Sequence, residues 1–383
     1  MLKLIIRNVF RSRLRASLTL LGVAIAMLAF GILRTLIGAW YIGVETSSVN
    51  RLVTRNKISL IYSLPLSYRG KISQIQGVSG VGYGLWYGGV YKDKKNFFAQ
   101  FAINGLDYLE MYPEFVLTID EKKAFEKDRN AAIAGQALAE RFGWKIGDVI
   151  PLQGTIYPGK IELTLVGIYK GAQKNTDETA FFFRYDYLNE ALKKSSPDLA
   201  NKAGWYMIKV RDPDKAPEIA QEIDALFKNS LAETLTETEK AFQMGFVSMT
   251  EAIIGAIQVI SIVVIGIILM VLANTMAMTG RERSAEFAVL KTLGFGPVYI
   301  FGLICGESVA LALTGGIIGA VLTFPGGAIF QTQLKSFLPV FEVSDSTVLL
   351  ILIVSLAVGI MASLPPAVRT SRVPIAEGLR HVG

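Results

Sequence analysis

Four long apolar segments are spaced unevenly along the chain, at about residues 16–40, 252–280, 297–324 and 346–368. No Asp, Glu, Lys or Arg occurs within residues 252–280 or within the last apolar segment. Each run is longer than the roughly 20 residues that a helix needs to cross a bilayer core. The pattern predicts four transmembrane helices, and the polar stretch of about 200 residues between the first two has the size of a whole domain.

The polar stretch combines strand and helix patterns. Apolar runs and alternating positions predict strands at residues 57–62, 77–91, 97–104, 132–134, 149–152, 161–168, 181–183 and 205–210. Helical spacing predicts helices at residues 68–75, 136–142 and 216–228. The predicted fold class is an integral membrane α-helical protein with four transmembrane helices, and with an α+β extracytoplasmic domain inserted between helices 1 and 2.

Amphipathic helical spacing also flanks the polar stretch on both sides. It covers Gly43–Asn56 after the first span and Leu231–Glu251 before the second. We predict that these two segments are stalk helices that join the bilayer to the domain.

Outside the polar stretch, basic residues lie mainly before the first span, between the second and third, and after the fourth. Because cytoplasmic loops carry an excess of Lys and Arg, this pattern places both termini and the loop 281–296 in the cytoplasm and the large domain outside. The cations before the first span fit either an amphipathic helix on the membrane surface or a plain topology signal. They include the predicted interfacial residues Arg7, Arg11, Arg13 and Arg15.

Few residues in the sequence could carry chemistry. The chain has one cysteine, Cys305, and one histidine, His381, which argues against disulfides, zinc sites and histidine-based catalysis. Two acidic pairs, Asp120-Glu121 and Asp177-Glu178, fit solvated polar loops. No glycine-rich loop of the kind that cradles nucleotide phosphates is present, so ATP would have to bind to another chain. We therefore predict no catalytic residue, no metal and no enzyme activity.

The loop between the second and third spans predicts a short amphipathic helix. As a helix it places Glu282, Glu286 and Leu290 on one stripe, with Phe287 beside them. A tight hairpin with cytoplasmic charge would explain the arginines but not the apolar residues, so a docking element is favoured. Its candidate residues are Arg281, Glu282, Arg283, Glu286, Phe287, Leu290, Lys291 and Gly294.

Glu307 is the acidic residue that interrupts the third span. A carboxylate at this depth is costly and suggests a functional role, such as a proton relay. A hydrogen bond to a neighbouring helix is the alternative, and it is favoured because no partner cation is evident within the span. Glycines with small-residue spacing, including Gly315 and Gly319, predict close helix packing in the same span.

Several features, in this order, resemble those of the MacB/FtsX-type ABC transporter permeases. They are the run Asn8–Arg15 leading into Leu18–Gly22, the domain motif Gly135–Glu140 with Gly147-Asp148, the segment Arg281–Gly294, Glu307 before a glycine-rich span, and the ending Pro365–Arg380. The resemblance covers nearly the whole chain. The sequence departs from it at Ala288, where the family often has glycine, and at Leu290, where it often has a basic residue.

The resemblance implies a permease that works as a dimer, a homodimer being favoured, on two copies of a separate ABC ATPase subunit. ATP and Mg²⁺ bind to that partner, so this chain itself would hold no cofactor. The cytoplasmic helix 281–294 would couple to the ATPase, and stalk helices would pass its movement to the periplasmic domain. Cargo in the family is a lipid, lipoprotein, peptide or drug, with a periplasmic adaptor and an outer-membrane channel in some members.

Three regions follow from this interpretation. Residues 1–42 form the interfacial helix and first span, residues 43–250 the periplasmic domain with its stalks, and residues 251–383 the remaining spans with the coupling helix and a cytoplasmic tail. The predicted location is the bacterial inner membrane, with no nucleic-acid partner. The alternative function is a non-transporting membrane sensor or scaffold that regulates a periplasmic partner such as a cell-wall hydrolase.

Overall fold

A computed structural model of the protein describes residues 13–334, 340–372 and 374. The chain forms two compact units. The helical unit comprises Met1–Ala39, Thr250–Gln333 and Phe341–Gly383, and the sheet unit comprises Trp40–Met249 and Leu334–Val340.

The helices of the described residues are α1 (Arg13–Thr46), α2 (Tyr68–Ile72), α3 (Leu106–Leu109), α4 (Ile119–Lys127), α5 (Gln136–Phe142), α6 (Tyr185–Ser195), α7 (Ala216–Leu226), α8 (Glu239–Met249), α9 (Glu251–Glu282), α10 (Ser284–Thr292), α11 (Pro297–Leu334) and α12 (Asp345–Arg372). Two 3₁₀ turns occur at Pro197–Leu199 and Pro213–Lys215.

The strands are β1 (Arg51–Asn56), β2 (Leu64–Pro65), β3 (Val78–Trp86), β4 (Gln100–Ile103), β5 (Phe115–Val116), β6 (Ala131–Gly135), β7 (Val149–Gln153), β8 (Lys160–Gly171), β9 (Phe181–Arg184), β10 (Lys202–Ala203), β11 (Trp205–Val210) and β12 (Thr234–Thr238).

Four of the helices, α1, α9, α11 and α12, are long and apolar enough to cross a membrane. The prediction of four spans is thereby confirmed. Within the helical unit, buried side chains of these helices form an apolar core that includes Val23, Leu272 and Val358. The outward-facing residues of these helices are also apolar, as expected of helices whose solvent is lipid.

Glycines of α11 allow its neighbours to approach closely, as their spacing predicts. A Cβ atom at Gly319 would lie 2.7 Å from Met27 Cβ and 2.8 Å from the Ala24 carbonyl oxygen of α1. A Cβ at Gly315 would lie 2.7 Å from Val23 Cβ on the same helix. Larger side chains at these positions would therefore separate the first and third spans.

The sheet unit is built on one mixed sheet with strand order β12-β1-β11-β3-β4-β9-β6-β8-β5, and β7 pairs with β8. The pairs β4–β9 and β6–β8 are parallel, and the other pairs are antiparallel. β1 follows α1 and β12 precedes α8, and these two strands are hydrogen-bonded neighbours with Leu52 opposite Thr238. The chain thus enters and leaves the sheet unit on adjacent strands.

Apolar side chains cover both faces of the sheet. One cluster contains Leu52, Tyr206 and Ile208, and the other contains Val53 and Met207 from the opposite face of the same strands. β6 is buried along its whole length, which explains why its sequence is an unbroken run of small and apolar residues. The α+β fold class predicted for this part of the chain is confirmed.

Several local predictions hold closely. A strand lies at Ala131–Gly135 and helix α5 spans the predicted 136–142. β11 coincides with the predicted strand 205–210, and Gly143 and Gly147 have positive φ angles in the turns between α5 and β7. These segments have the clearest apolar periodicity or turn chemistry in the polar stretch.

The predicted strand 57–62 is wrong, because these residues form turns and the strand lies at Arg51–Asn56 instead. The predicted stalk helices are also wrong over part of their length, because part of each segment forms a strand. α1 ends at Thr46, and the second segment contains strand β12 before helix α8 begins at Glu239. Polar residues in both strands resemble the exposed side of a helix, but many of them are buried in the fold, namely Arg51, Thr54, Asn56, Thr234 and Thr236.

The Asp120-Glu121 pair lies in helix α4 rather than in a loop. Thr118 caps this helix, and Glu121 returns a hydrogen bond to the Thr118 backbone N–H, which completes a capping box. Burial opposes ionisation of Glu121, but backbone hydrogen bonds from Ile168 and Thr118 outweigh it and lower the pKa of this carboxyl. The pair therefore has a structural role at a helix N-terminus.

Candidate functional site

The loop between α9 and α11 contains the short helix α10, which begins at Ser284 and ends at Thr292. The two helices α9 and α10 are separated at Arg283, whose φ and ψ of −104° and 16° are not helical. Gly294 follows the helix with a φ of +91°, which suits a residue without a side chain. Glu282 therefore belongs to the end of α9, and the predicted stripe that joins it to Glu286 is wrong.

One side of α10 faces the core of the helical unit. Phe287 is 2% exposed, and it packs in a cluster with Ile300 and Leu303 of α11 and Ala367 of α12. Leu290 is half-buried against the same cluster. These two residues, expected at a docking surface, instead fix α10 to its own subunit.

Arg283 holds α10 to the third span through charged hydrogen bonds. Its Nη1 donates to Glu307 Oε1 at 2.6 Å and its Nε donates to Glu286 Oε2 at 3.0 Å. The Glu307 side chain is 5% exposed, so this ion pair is almost fully shielded from solvent. Burial opposes the charge of Arg283, but the hydrogen bonds to the two carboxylates outweigh it and raise the pKa of Arg283.

Glu307 thus makes the expected hydrogen bond outside its own helix, and its partner is a cation that the sequence analysis did not assign to it. Arg283 is 24 residues away in the chain and lies outside the third span, so composition within the span could not reveal it. Because breaking a buried ion pair is strongly destabilising, this contact gives Glu307 a structural role.

Further contacts join other segments of the helical unit. Lys291 Nζ donates to the Ser371 carbonyl oxygen of α12 at 3.0 Å. Arg15 of α1 forms two hydrogen bonds of 2.7 Å with Glu282 of α9. Arg13 and Arg281 are exposed. Arg7 and Arg11 lie outside the described residues.

The opposite side of α10, the turn after it and the start of α11 present apolar side chains to solvent. We call this surface the outer patch, and it consists of Val289, Leu293, Phe295 and Val298, which are 48%, 69%, 40% and 83% exposed. Sequence reasoning missed Val289, but it counted Leu293 among the apolar residues that a plain hairpin does not explain. Their i, i+4 spacing was the signal that could have identified them.

A second charged cluster lies in the sheet unit, around Arg51 at the start of β1. Its Nε donates to Glu239 Oε2 at 2.7 Å and its Nη2 donates to Glu114 Oε1 at 2.7 Å. Nη1 donates to the Met111 carbonyl oxygen at 2.8 Å, and the guanidinium lies 4.3 Å from the centre of the Tyr112 ring. Burial disfavours the charge of Arg51, but these partners more than compensate and raise the pKa of Arg51.

The Arg51 cluster joins the segment by which the chain enters the sheet unit to the segment by which it leaves. Glu239 is the first residue of α8, and it also accepts a hydrogen bond of 2.8 Å from the Ser48 backbone N–H, just after α1. At the same place a Cβ at Gly43 would lie 3.0 Å from Gln243 Oε1, so the last turns of α1 contact α8. The two segments predicted as paired stalks are thus adjacent, although both are shorter than predicted.

Comparison with known families agrees with this architecture. The family described as MacB-like periplasmic core domain matches residues 16–226. The family described as FtsX-like permease C-terminal matches residues 258–375. The first match covers more than half of the chain, and together the two leave only short segments unmatched.

The chain is also similar to individual proteins. An uncharacterized ABC transporter permease of Methanocaldococcus jannaschii is 25% identical over 98% of this chain and 96% of its own length. The lipoprotein-releasing system transmembrane protein LolC of Neisseria meningitidis is 24% identical over 65% of this chain and 64% of its own length. Among solved structures, the periplasmic region of MacB from Actinobacillus actinomycetemcomitans matches 53% of this chain and 95% of that one, at 10% identity and a TM-score of 0.39.

Proposed function

Because the chain belongs to the ABC transporter permeases with an FtsX-like C-terminal region and a MacB-like periplasmic core domain, we propose that it couples ATP hydrolysis by a separate subunit to movement of its extracytoplasmic domain. This movement would drive the export or extraction of a hydrophobic or amphipathic substrate. The proposed cargo is a lipid, lipoprotein, peptide or drug taken from the membrane or from the space outside it.

The observation that carries this proposal is the division of α10 into two sides. Its inner side is fixed by Phe287 in the apolar cluster and by the bond from Arg283 to Glu307. Its outer patch is exposed to solvent, with Val289 and Leu293 48% and 69% exposed. Exposed apolar residues next to charged ones are typical of a protein–protein contact. A force applied to this patch would reach α11 through the inner side.

The sheet unit supports the other half of the proposal. The segments that follow α1 and precede α9 meet at one buried guanidinium, since Arg51 binds Glu239 and Glu239 binds the Ser48 N–H. A displacement of either segment would therefore act on the other and on strand β1. Such an arrangement suits a domain that is moved as a body.

The proposed assembly is a homodimer of this chain with two ATPase subunits, in the cytoplasmic membrane, with both termini in the cytoplasm. ATP and Mg²⁺ would bind to the ATPase. Basic residues near α10 agree with this orientation. A periplasmic adaptor and an outer-membrane channel would be further partners where the cell has an outer membrane.

Co-purification of the full-length chain with its ATPase subunit tests the proposal. The variant Leu293→Asp places a charge in the outer patch without disturbing the core, because Leu293 is 69% exposed. We expect it to lose the ATPase from the complex and to abolish coupled ATP hydrolysis. The matched control is Ile58→Asp, at an 80% exposed residue of the sheet unit, which should retain both. Normal ATPase binding by Leu293→Asp would contradict the proposal.

A further inference from the structure

The sheet unit contains a large cavity of about 1150 Å³. Its floor is aromatic and is formed by Trp86, Phe101, Phe182 and Trp205. Phe101 is the centre of this floor, with ring centres 5.3 Å from Trp86, 5.6 Å from Trp205 and 5.6 Å from Phe182. A cavity of this size with a mainly apolar lining is typical of a site for a small organic molecule.

The position of the cavity indicates where its ligand comes from. Ile42 and Thr46 line it, and both belong to the last turns of the membrane-spanning helix α1. Phe242 and Phe246 line it from α8, which ends at Met249 directly before the second span begins. The cavity therefore lies at the part of the sheet unit where the chain arrives from the first span and where it leaves towards the second.

Two polar side chains that line the cavity are already paired within the protein. Arg51 is bound by Glu239 and Glu114, and the Trp205 indole N–H donates to Tyr108 Oη at 3.4 Å. A peptide in the cavity would need partners for its backbone N–H and C=O groups, and an unpaired buried amide is costly. A hydrocarbon chain needs none and gains with each methylene that leaves water.

From these observations we infer that the cavity is a binding site for a fatty acyl chain, which it would receive from an amphiphile leaving the bilayer. Exposed apolar side chains lie around its opening, namely Ile61 (89% exposed), Ile156 (55%) and Phe246 (44%). They extend the apolar surface outward, where the headgroup of the amphiphile remains in water. The source of the ligand rests on the proposed function, but binding itself does not require the ATPase.

Photo-crosslinking tests this site in the full-length chain, reconstituted into lipid nanodiscs without ATPase. The probe is a palmitic acid that carries a diazirine in its chain, and labelled peptides are located by mass spectrometry. We expect labelling of the peptides around Ile61 and Phe246 in addition to the membrane-spanning helices. Excess unlabelled palmitic acid should compete at the cavity.

A double variant and its matched control make the result specific. Ile61→Gln with Phe246→Gln should lower cavity labelling by about tenfold or more, since two apolar contacts are lost. Labelling of the spans in the same sample should stay constant. The control pair is Ile58→Gln with Met244→Gln, which are exposed neighbours outside the cavity and should leave labelling unchanged.

Unlabelled cavity peptides beside labelled spans would overturn the inference, as would equal losses in the double variant and its control. Cavity peptides that become labelled only when copies of the chain are separated by dilution would show that a second copy covers the site, and would also overturn it. Because no ATPase is present, each of these outcomes leaves the proposed coupling function to be judged by its own experiment.

Discussion

The two arginine-centred clusters share a design but differ in their surroundings. Arg51 in the sheet unit and Arg283 in the helical unit each bind two carboxylates. The Arg51 side chain is 4% exposed, and both of its acidic partners lie far away in sequence. The Arg283 side chain is 13% exposed, and one of its partners, Glu286, is only three residues away and 39% exposed.

This difference suggests two mechanical roles. The Arg51 cluster also takes in a backbone carbonyl oxygen, that of Met111, and connects segments that come from opposite ends of the sheet unit's chain. It has the properties of a permanent structural contact. The Arg283 cluster has one buried bond, to Glu307, and one local bond near solvent, so it resembles a fastening that positions a surface helix.

The largest effect is expected from Arg51→Met. This change leaves the Glu239 carboxylate, which is 6% exposed, without its cation. Breaking a buried ion pair in this way costs about 3–5 kcal/mol. Thermal unfolding of the full-length protein, followed by the fluorescence of tryptophans such as Trp205, should show a marked loss of stability of the sheet unit.

Arg55→Met is the matched control for that change. Arg55 lies on the same strand and pairs with Glu237 at 3.0 Å, but the two side chains are 22% and 25% exposed. Partial solvation should limit the loss to about 1 kcal/mol. Equal losses of stability for the two variants would remove the distinction between the buried Arg51 cluster and an ordinary, partly solvated ion pair.

An intermediate effect is expected from Arg283→Leu, which leaves Glu307 buried and unpaired. We expect a loss of about 3 kcal/mol, and hydrogen exchange should show faster opening of α10. The double variant Arg283→Leu with Glu307→Leu should recover at least part of this loss, because no buried charge remains. A double variant worse than the sum of the single ones would contradict a structural role for the pair and return Glu307 to the role of a functional carboxylate.

These clusters also show what the sequence could reveal. The four spans, the inserted domain and the position of α10 follow from long apolar runs and clear turn residues such as Gly294. Phe287 and Glu307 were recognised as unusual, but their partners depend on helix packing, which a local pattern does not contain. Arg51 and Glu239 were hidden for a similar reason, since a buried charge pair between distant segments looks like an exposed helix face in the sequence.

The smallest effect is expected from Glu286→Gln. Its carboxylate is 39% exposed and lies at i+3 from Arg283, so its contribution to stability should be about 0.5 kcal/mol or less. Hydrogen exchange of α10 should change little compared with Arg283→Leu. A loss as large as that of Arg283→Leu would show that the local bond, rather than the one to Glu307, holds the helix.

The most direct test of coupling measures movement of the sheet unit in response to ATP. Replacement of Cys305 by serine and of the exposed Lys123 by cysteine gives one spin-labelling site per chain. Electron-spin distance measurements between two copies in the assembled complex should show a different distribution with ATP and vanadate than without nucleotide. The change should disappear in Leu293→Asp. A distribution that is the same in every nucleotide state, while the complex hydrolyses ATP, would contradict the proposal that hydrolysis moves this domain.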